Sequence, residues 1–284
     1  MPAAALRSQE LEPGVQTSSA AAAVPKPAPA SNALAASSGV TAASSANGAA
    51  KPAPSPARPT ASASAAAAPK GDGHTVLVLP GFLTSDRSTE FLRRVLGGLG
   101  LNAVGWEMGR NLGGLYGMRQ KLRDRVAALK RDTGGGKISV VGWSLGGVYA
   151  RDLALSLPDM IRDVITLGSP FSGDLRANNV GRLYDVVSGE SVDDARPEDV
   201  AALAGDLPVP ATSIYSRTDG IVHWRTSQVR AHETAENIEV RGASHLGLGV
   251  NPAVVWAVAD RLAQPEGVFK PFARRGPFSL AYAA

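Results

Sequence analysis

The chain has 284 residues and a formal net charge of +4, from 29 basic and 25 acidic side chains, and it contains no cysteine. With no run of like charges and no basic stripe interleaved with aromatics, nothing favours nucleic-acid binding, and the missing thiols exclude disulfides, thiolate metal sites and a cysteine nucleophile. No stretch approaches the ~20 apolar residues of a membrane-spanning helix, and the N-terminal alanine runs are too weakly apolar for a signal peptide, so a cytoplasmic protein is expected, with at most weak contact to an anionic membrane surface.

Residues 1–72 are rich in Ala, Pro and Ser, hold half of the 20 prolines and contain no Phe, Trp or Tyr. Such a segment cannot bury enough apolar surface to offset the entropy of ordering, so a disordered tail is expected. The roughly 210 residues that remain suffice for one core. The expected division is a catalytic domain over 73–264 and a C-terminal extension over 265–284.

His74 to Leu79 is a short β-branched run ended by Pro80-Gly81, a buried strand entering a tight turn. Ser85 or Asp86 can cap a helix whose apolar positions Phe91, Leu92, Val95, Leu96 and Leu99 recur at helical spacing. Leu101–Trp106 reads as a second strand, Leu115–Leu129 as a helix, and Lys137–Val141 as a third strand that enters Gly142-Trp143-Ser144 directly. A helix over Leu145–Leu157 and a strand over Asp163–Leu167 follow, the strand closed by Gly168-Ser169-Pro170. Residues 171–207 are polar, with a helix at Pro197–Leu203, and could form a small lid. Ala211–Tyr215 and Asn237–Val240 are the last strands, and Pro252–Leu262 is the final helix, with Pro in its first turn. This alternation predicts an α/β domain: about six mostly parallel strands, covered by helices on both faces. In such sheets the ligand crevice lies beyond the carboxyl ends of the strands.

Chemistry-bearing residues fall at those ends. Gly142-Trp143-Ser144-Leu145-Gly146 sits between a strand and a helix, the setting of a nucleophile elbow, in which a sharp turn lifts the Ser144 hydroxyl above the sheet. By itself the motif could equally be a helix cap after a Gly turn. A serine needs a base. His245, in the Gly-rich loop after the last strand, is the candidate, and His223 is the alternative. Asp219, before Gly220, is the candidate acid that would fix the imidazole, unless it is an ordinary Asp-Gly turn; Asp174 is the alternative. The backbone N–H groups of Leu145 and Phe82, or Leu83 in place of Phe82, would form an oxyanion hole worth about 3 kcal/mol per donor in the transition state. Leu83, Trp143, Phe171, Trp224 and Leu246 are expected around a substrate pocket, with Leu145 and Leu248 beside them. No metal or organic cofactor is expected.

The segments Val76–Phe82, Val140–Gly147, Gly168–Phe171 and Thr218–Val222 together resemble the α/β-hydrolase superfamily, most of all its small bacterial lipases, esterases and inositol-deacylase-like members. The likeness spans about residues 74–263. It implies Ser144, Asp219 and His245 as a triad, with Phe82 and Leu145 at the oxyanion hole. It also implies hydrolysis of a small-molecule or lipid ester through an acyl-enzyme. Pro80 stands where many lipases have a His, and the sheet begins late, so the first strands of the full superfamily fold are not expected. An acyltransferase with the same residues, or a non-catalytic binding module, are the other readings. The mixed aromatic and basic segment Phe269–Phe278 could pack across the domain or touch a membrane or partner.

Overall fold

The structure, a computed structural model, describes residues 68–173 and 196–283. The expected tail up to residue 67, the alternative acid Asp174 and the part of the expected lid over 174–195 lie outside the described residues.

Six strands form one sheet: β1 (Thr75–Leu79), β2 (Asn102–Gly105), β3 (Ile138–Trp143), β4 (Ile161–Leu167), β5 (Ala211–Tyr215) and β6 (Ala235–Glu239). Their spatial order is β2-β1-β3-β4-β5-β6, and each of these neighbouring pairs is parallel. The order reverses between β1 and β3, since the chain steps to one side of β1 for β2 and to the other for β3. A crevice opens beyond the strand ends at such a switch point.

Among the described residues, four α-helices lie between the strands, α1 (Asp86–Gly98), α2 (Leu115–Asp132), α3 (Leu145–Ser156) and α4 (Pro197–Ala204), and a fifth, α5 (Pro252–Leu262), follows β6. Alternation along the strands sorts the core into two layers. Val76 and Val78 of β1 face α1 and α5, packing with Leu92, Leu96, Val254 and Val258. Leu77 and Leu79 face the other way, toward Leu122 and Val126 of α2, Tyr149 and Leu153 of α3, and Leu203 of α4. Both faces are covered, so β1, β3 and β5 are buried along their whole length, and β1 reads as a near-continuous apolar run rather than an alternating one.

Several boundaries differ from the sequence expectation for identifiable reasons. β2 is shorter, because Trp106 N–H donates to the Asp86 carboxylate (2.9 Å) instead of extending a ladder. The same carboxylate takes Glu107 N–H (3.0 Å), and although Ser85 occupies the cap position of α1, neither its side chain nor that of Asp86 makes a cap hydrogen bond there. β4 starts two residues early, with Arg162 and Asp163 held by ion pairs and a hydroxyl at the sheet margin. β6 starts at Ala235 and stops at Glu239, because its register against β5 begins at Ala211–Ala235. Pairing with a neighbour outweighs the weak strand preference of Ala and Glu.

The C-terminal extension packs on the domain. Tyr282 bridges Val240 in antiparallel fashion, Arg241 N–H donates to Ala281 O (2.7 Å), and Ala283 N–H donates to Glu239 O (3.0 Å). Phe272 and Tyr282 meet edge to face at 4.8 Å, and both belong to the α1/α5 layer of the core. Among the described residues no helix is long and apolar enough to cross a membrane.

Candidate active site

Parallel register brings the carboxyl ends of the strands to one margin. Leu79 pairs with Gly142, Trp143 with Leu167, and Leu167 with Ile214. The residues that follow, Pro80-Gly81-Phe82, Ser144, Gly168 and Ser216–Asp219, therefore emerge side by side, with the loop after β6 beyond them.

At the end of β3 the backbone of Ser144 adopts φ 55° and ψ −124°, a strained conformation for a residue with a side chain. Its N–H donates to Leu167 O (2.9 Å), which fixes the turn against β4. Crowding explains the flanking glycines. A Cβ on Gly142 would lie 2.3 Å from Gly146 O, one on Gly146 would lie 2.4 Å from Leu79 O, and one on Gly147 would lie 1.9 Å from Ser169 Oγ. The first turn of α3 thus sits directly on the ends of β1, β3 and β4.

Asp219 is buried in the turn after β5. Its Oδ1 accepts the N–H groups of Ile221 (3.0 Å) and Val222 (2.6 Å), which aims Oδ2 at His245 Nδ1, 2.8 Å away. A carboxylate only accepts, so Nδ1 carries the proton, and Nε2 is left to accept from Ser144 Oγ at 2.9 Å. The backbone repeats the connection: His245 N–H donates to Asp219 O (2.9 Å). Trp143 Nε1–H donates to His245 O (3.1 Å), with its ring 5.7 Å from the imidazole. Gly168, at φ +52°, leaves room for the acid, since a Cβ there would come within 2.8 Å of Asp219 Oδ2. Ser144, His245 and Asp219 are 9%, 4% and 5% exposed, so the relay is shielded from bulk water.

The turn after β1 lies against the serine. A Cβ on Gly81 would be 3.2 Å from Ser144 Cβ. Leu83 gives its N–H to Asn111 O (2.7 Å), so it is not placed to act as the alternative oxyanion donor. Leu145 N–H belongs to the first residue of α3, at the positive end of the helix dipole.

The five residues expected around a pocket have different surroundings. Trp143 and Phe171 are core residues, and Phe171, 1% exposed, carries the Arg151 guanidinium 4.2 Å above its ring. Trp224 is half-buried, stacked on Tyr215 and flanked by Arg217 (4.7 Å) and Arg225 (4.9 Å). Leu83 is half-buried, and Leu246, beside the histidine, is 68% exposed. Leu248 is fully buried. His223, the alternative base, lies on an exposed turn beside the Trp224 ring. Among the described residues no group of three or more His, Cys, Asp or Glu could hold a metal ion. Asn111, which stands in no sequence motif, is fully buried beneath the turn after β1.

No protein-family model and no curated protein matches the chain. Solved structures do. A structure reported with the metagenome-derived lipolytic enzymes LipS and LipT superposes with a TM-score of 0.51 at 14% identity, covering 69% of this chain and 94% of that one. The monoacylglycerol lipase of Paleococcus ferrophilus gives 0.51 at 13%, covering 69% and 96%. Lipase B of Aspergillus fumigatus gives 0.55 at 18%, covering 70% of this chain and 54% of that one.

Proposed function

With the α/β-hydrolase fold as the premise, we propose that this chain is a serine hydrolase that cleaves carboxylic esters through an acyl-enzyme. The observation that carries the proposal is the unbroken hydrogen-bond chain Ser144 Oγ, His245 Nε2, His245 Nδ1, Asp219 Oδ2 at 2.9 and 2.8 Å. A serine hydroxyl is a weak nucleophile until a base takes its proton. In this arrangement His245 removes that proton as Ser144 Oγ bonds to the ester carbonyl carbon. Asp219 keeps the imidazole in the tautomer that can do so and stabilises the imidazolium that forms. The negative charge moves to the carbonyl oxygen and is held by the N–H groups of Leu145 and Phe82. The tetrahedral centre collapses, the bond to the alcohol oxygen breaks, and His245 returns the proton to the departing alcohol. Water, deprotonated in turn by His245, then attacks the acyl carbon, the acyl–Oγ bond breaks, and His245 returns the proton to Ser144 Oγ as the acid leaves.

Support also comes from the names of the structural neighbours, which are lipolytic enzymes and lipases. The exposed Leu246 beside His245 suits an apolar acyl group, and the burial of Trp143 and Phe171 implies a pocket narrower than the sequence suggested.

The test is labelling with a fluorophosphonate probe together with hydrolysis of p-nitrophenyl esters of graded chain length. Wild type should label and turn over esters, and Ser144→Ala should lose both, with a fall in kcat on the order of 10^4-fold or more. Equal behaviour of the two proteins would falsify the proposal.

A further inference from the structure

We infer that Asn111 is a positioning residue for this chemistry: it fixes the Pro80–Thr84 turn so that the Phe82 N–H is held at the oxyanion position. The inference rests on the serine-hydrolase reading above and identifies what holds one of its two donors.

The turn after β1 has little regular structure of its own. Leu83 sits at φ 61°, the left-handed region that a leucine disfavours by roughly 1 kcal/mol, so its surroundings must impose the conformation. Asn111 supplies most of what imposes it. Its side-chain Nδ2 donates to Pro80 O (2.9 Å), while its backbone carbonyl accepts Leu83 N–H (2.7 Å) and its backbone N–H donates to Thr84 O (2.7 Å). One residue thereby clamps the turn at its beginning, middle and end. Thr84 closes the interior, giving its N–H (3.2 Å) and its hydroxyl (2.7 Å) to Gly81 O.

The consequence for Phe82 follows from peptide planarity. In a trans peptide the C=O and N–H point in opposite directions. With Gly81 O drawn to Thr84, the N–H of the same peptide unit, that of Phe82, is turned the other way. Its orientation is as fixed as the turn.

Asn111 is itself pinned. Its Oδ1 accepts Gly113 N–H (3.1 Å) and the Tyr149 hydroxyl (3.2 Å), and the side chain is fully buried. Tyr149 stands on α3, the helix whose first residue follows Ser144. The chain of bonds from Tyr149 through Asn111 to Pro80 therefore ties the turn to the helix that carries the nucleophile. Both candidate donors, Leu145 and Phe82, are referred to one rigid element. A displacement of about 1 Å at such a site costs on the order of 100-fold in rate.

The experiment compares wild type, Asn111→Ala and Tyr149→Phe. For each, kcat and KM are measured on p-nitrophenyl butyrate, Ki is measured for phenylboronic acid, and a melting curve is recorded. The boronate forms a tetrahedral adduct on the serine and reports the oxyanion position directly. The expected result for Asn111→Ala is a kcat lower by about 10- to 100-fold with KM within roughly threefold, and boronate affinity lower by a similar factor. Tyr149→Phe, which keeps its ring in the core, should show the same pattern at about 3- to 10-fold. Should Asn111→Ala fail to fold, the Tyr149→Phe pattern decides alone. Boronate affinity within twofold of wild type in every folded variant overturns the inference, whatever happens to melting temperature. A wild type that neither labels nor hydrolyses esters overturns it together with the reading on which it rests, whereas an active wild type with unimpaired variants overturns it alone.

Discussion

At the scale of single residues, the site is built as much from absent side chains as from present ones. Gly146 has no unusual φ, yet a Cβ there would lie 2.4 Å from Leu79 O and 2.9 Å from Pro80 O, both backbone atoms that cannot step aside cheaply. Gly146→Ala is therefore expected to push α3 off the turn after β1, lowering kcat by about 100-fold or more and stability by roughly 1–3 kcal/mol. Gly117 is the control. It lies within α2, with open space around the added methyl and no left-handed φ, so Gly117→Ala should leave kcat unchanged and raise stability by about 0.5–1 kcal/mol. Esterase assays and urea denaturation of the two variants check both outcomes, and equal losses would show that crowding is not the reason for Gly146. That Ser144, Asp219 and His245 would lie at neighbouring strand ends was legible in the sequence, because each stands in a short local pattern there; that they join in one hydrogen-bonded chain is a finding of the fold. Asn111 stands in no such pattern: its role consists of bonds to residues 27 to 38 positions away or packed beside them only in the fold. Trp143 and Phe171 show the converse. An aromatic near a strand end can face the ligand or the core, and apolar character alone does not decide between them.

At the scale of elements, α4 is attached mainly by charge. Leu203 is the one residue of this short helix that is fully buried, whereas polar contacts tie it down at both ends. Arg119 of α2 bridges Asp152 of α3 (2.7 Å) and Asp199 of α4 (3.0 Å), Tyr116 OH and Arg196 also reach Asp199, and Arg151 donates to Leu203 O and Gly205 O. The side chain of Asp152 is only 7% exposed, so removing its partner strands a buried carboxylate. Arg119→Met should cost about 2–4 kcal/mol, and Asp152→Asn added to it should recover much of that loss. A double-mutant cycle by urea denaturation measures the coupling, and strict additivity would contradict the bridge. A second polar cluster joins the segment entering β1 to β3 and β4 at the opposite margin of the sheet. His74 contacts Asp72, His74 Nε2 meets Ser139 Oγ (2.9 Å), Ser139 Oγ donates to Asp163 Oδ2 (2.8 Å), and Arg162 pairs with Asp72 (3.0 Å). Burial pushes the Asp163 carboxyl above its ordinary range, with the Ser139 hydroxyl and the charges of His74 and Arg162 opposing that shift only in part. The folded chain thus keeps a proton that the unfolded chain has already released. The resulting stability is complete below the unfolded pKa and is lost as pH rises through the folded value. Asp163→Asn lacks that loss, so its stability relative to wild type should increase as pH rises above the ordinary carboxylate range, as read from denaturation midpoints. A difference that stays constant or shrinks with pH would remove Asp163 as the titrating group. Sequence patterning found the helices and strands but not these clasps, because ion pairs between elements leave no periodic trace.

At the scale of the whole molecule, the strand–helix alternation was enough to predict a parallel α/β sheet with its chemistry at one margin. Alternation is a local property that the chain must satisfy to bury both faces. The strand order was not predicted, and the sequence leaves open whether Phe269–Phe278 packs across the domain or touches a membrane or partner. The structure packs the C-terminal extension on the domain, at the end of β6. Tyr282 is 3% exposed and its hydroxyl donates to Ala253 O (2.7 Å) in α5, while Phe272 is 8% exposed and its N–H donates to Glu236 Oε2 (2.9 Å) in β6. Trp256 and Phe278 add an edge contact at 5.9 Å. An open parallel edge strand offers unpaired donors and acceptors to other chains, and the extension covers the end of β6 where the histidine loop begins. Two well-buried aromatics with their hydrogen bonds correspond to about 3–5 kcal/mol each when truncated to alanine. Tyr282→Ala should therefore lower the melting temperature by roughly 6–20 °C, since about 1 kcal/mol moves Tm by 2–4 °C in a domain of this size. Tyr282→Phe, which keeps the ring and loses the hydroxyl, should lower it by only about 2–6 °C, the equivalent of one buried hydrogen bond. Ser144, Asp219 and His245 are unchanged in both variants, so kcat measured well below the transition should stay within about twofold of wild type, because stability and chemistry then reside in different parts of the fold. Thermal denaturation and esterase assays at low temperature measure the two effects separately. A Tyr282→Ala protein with unaltered Tm would mean that the extension is only draped over the domain, and one with normal Tm but lost activity would make it part of the catalytic apparatus instead.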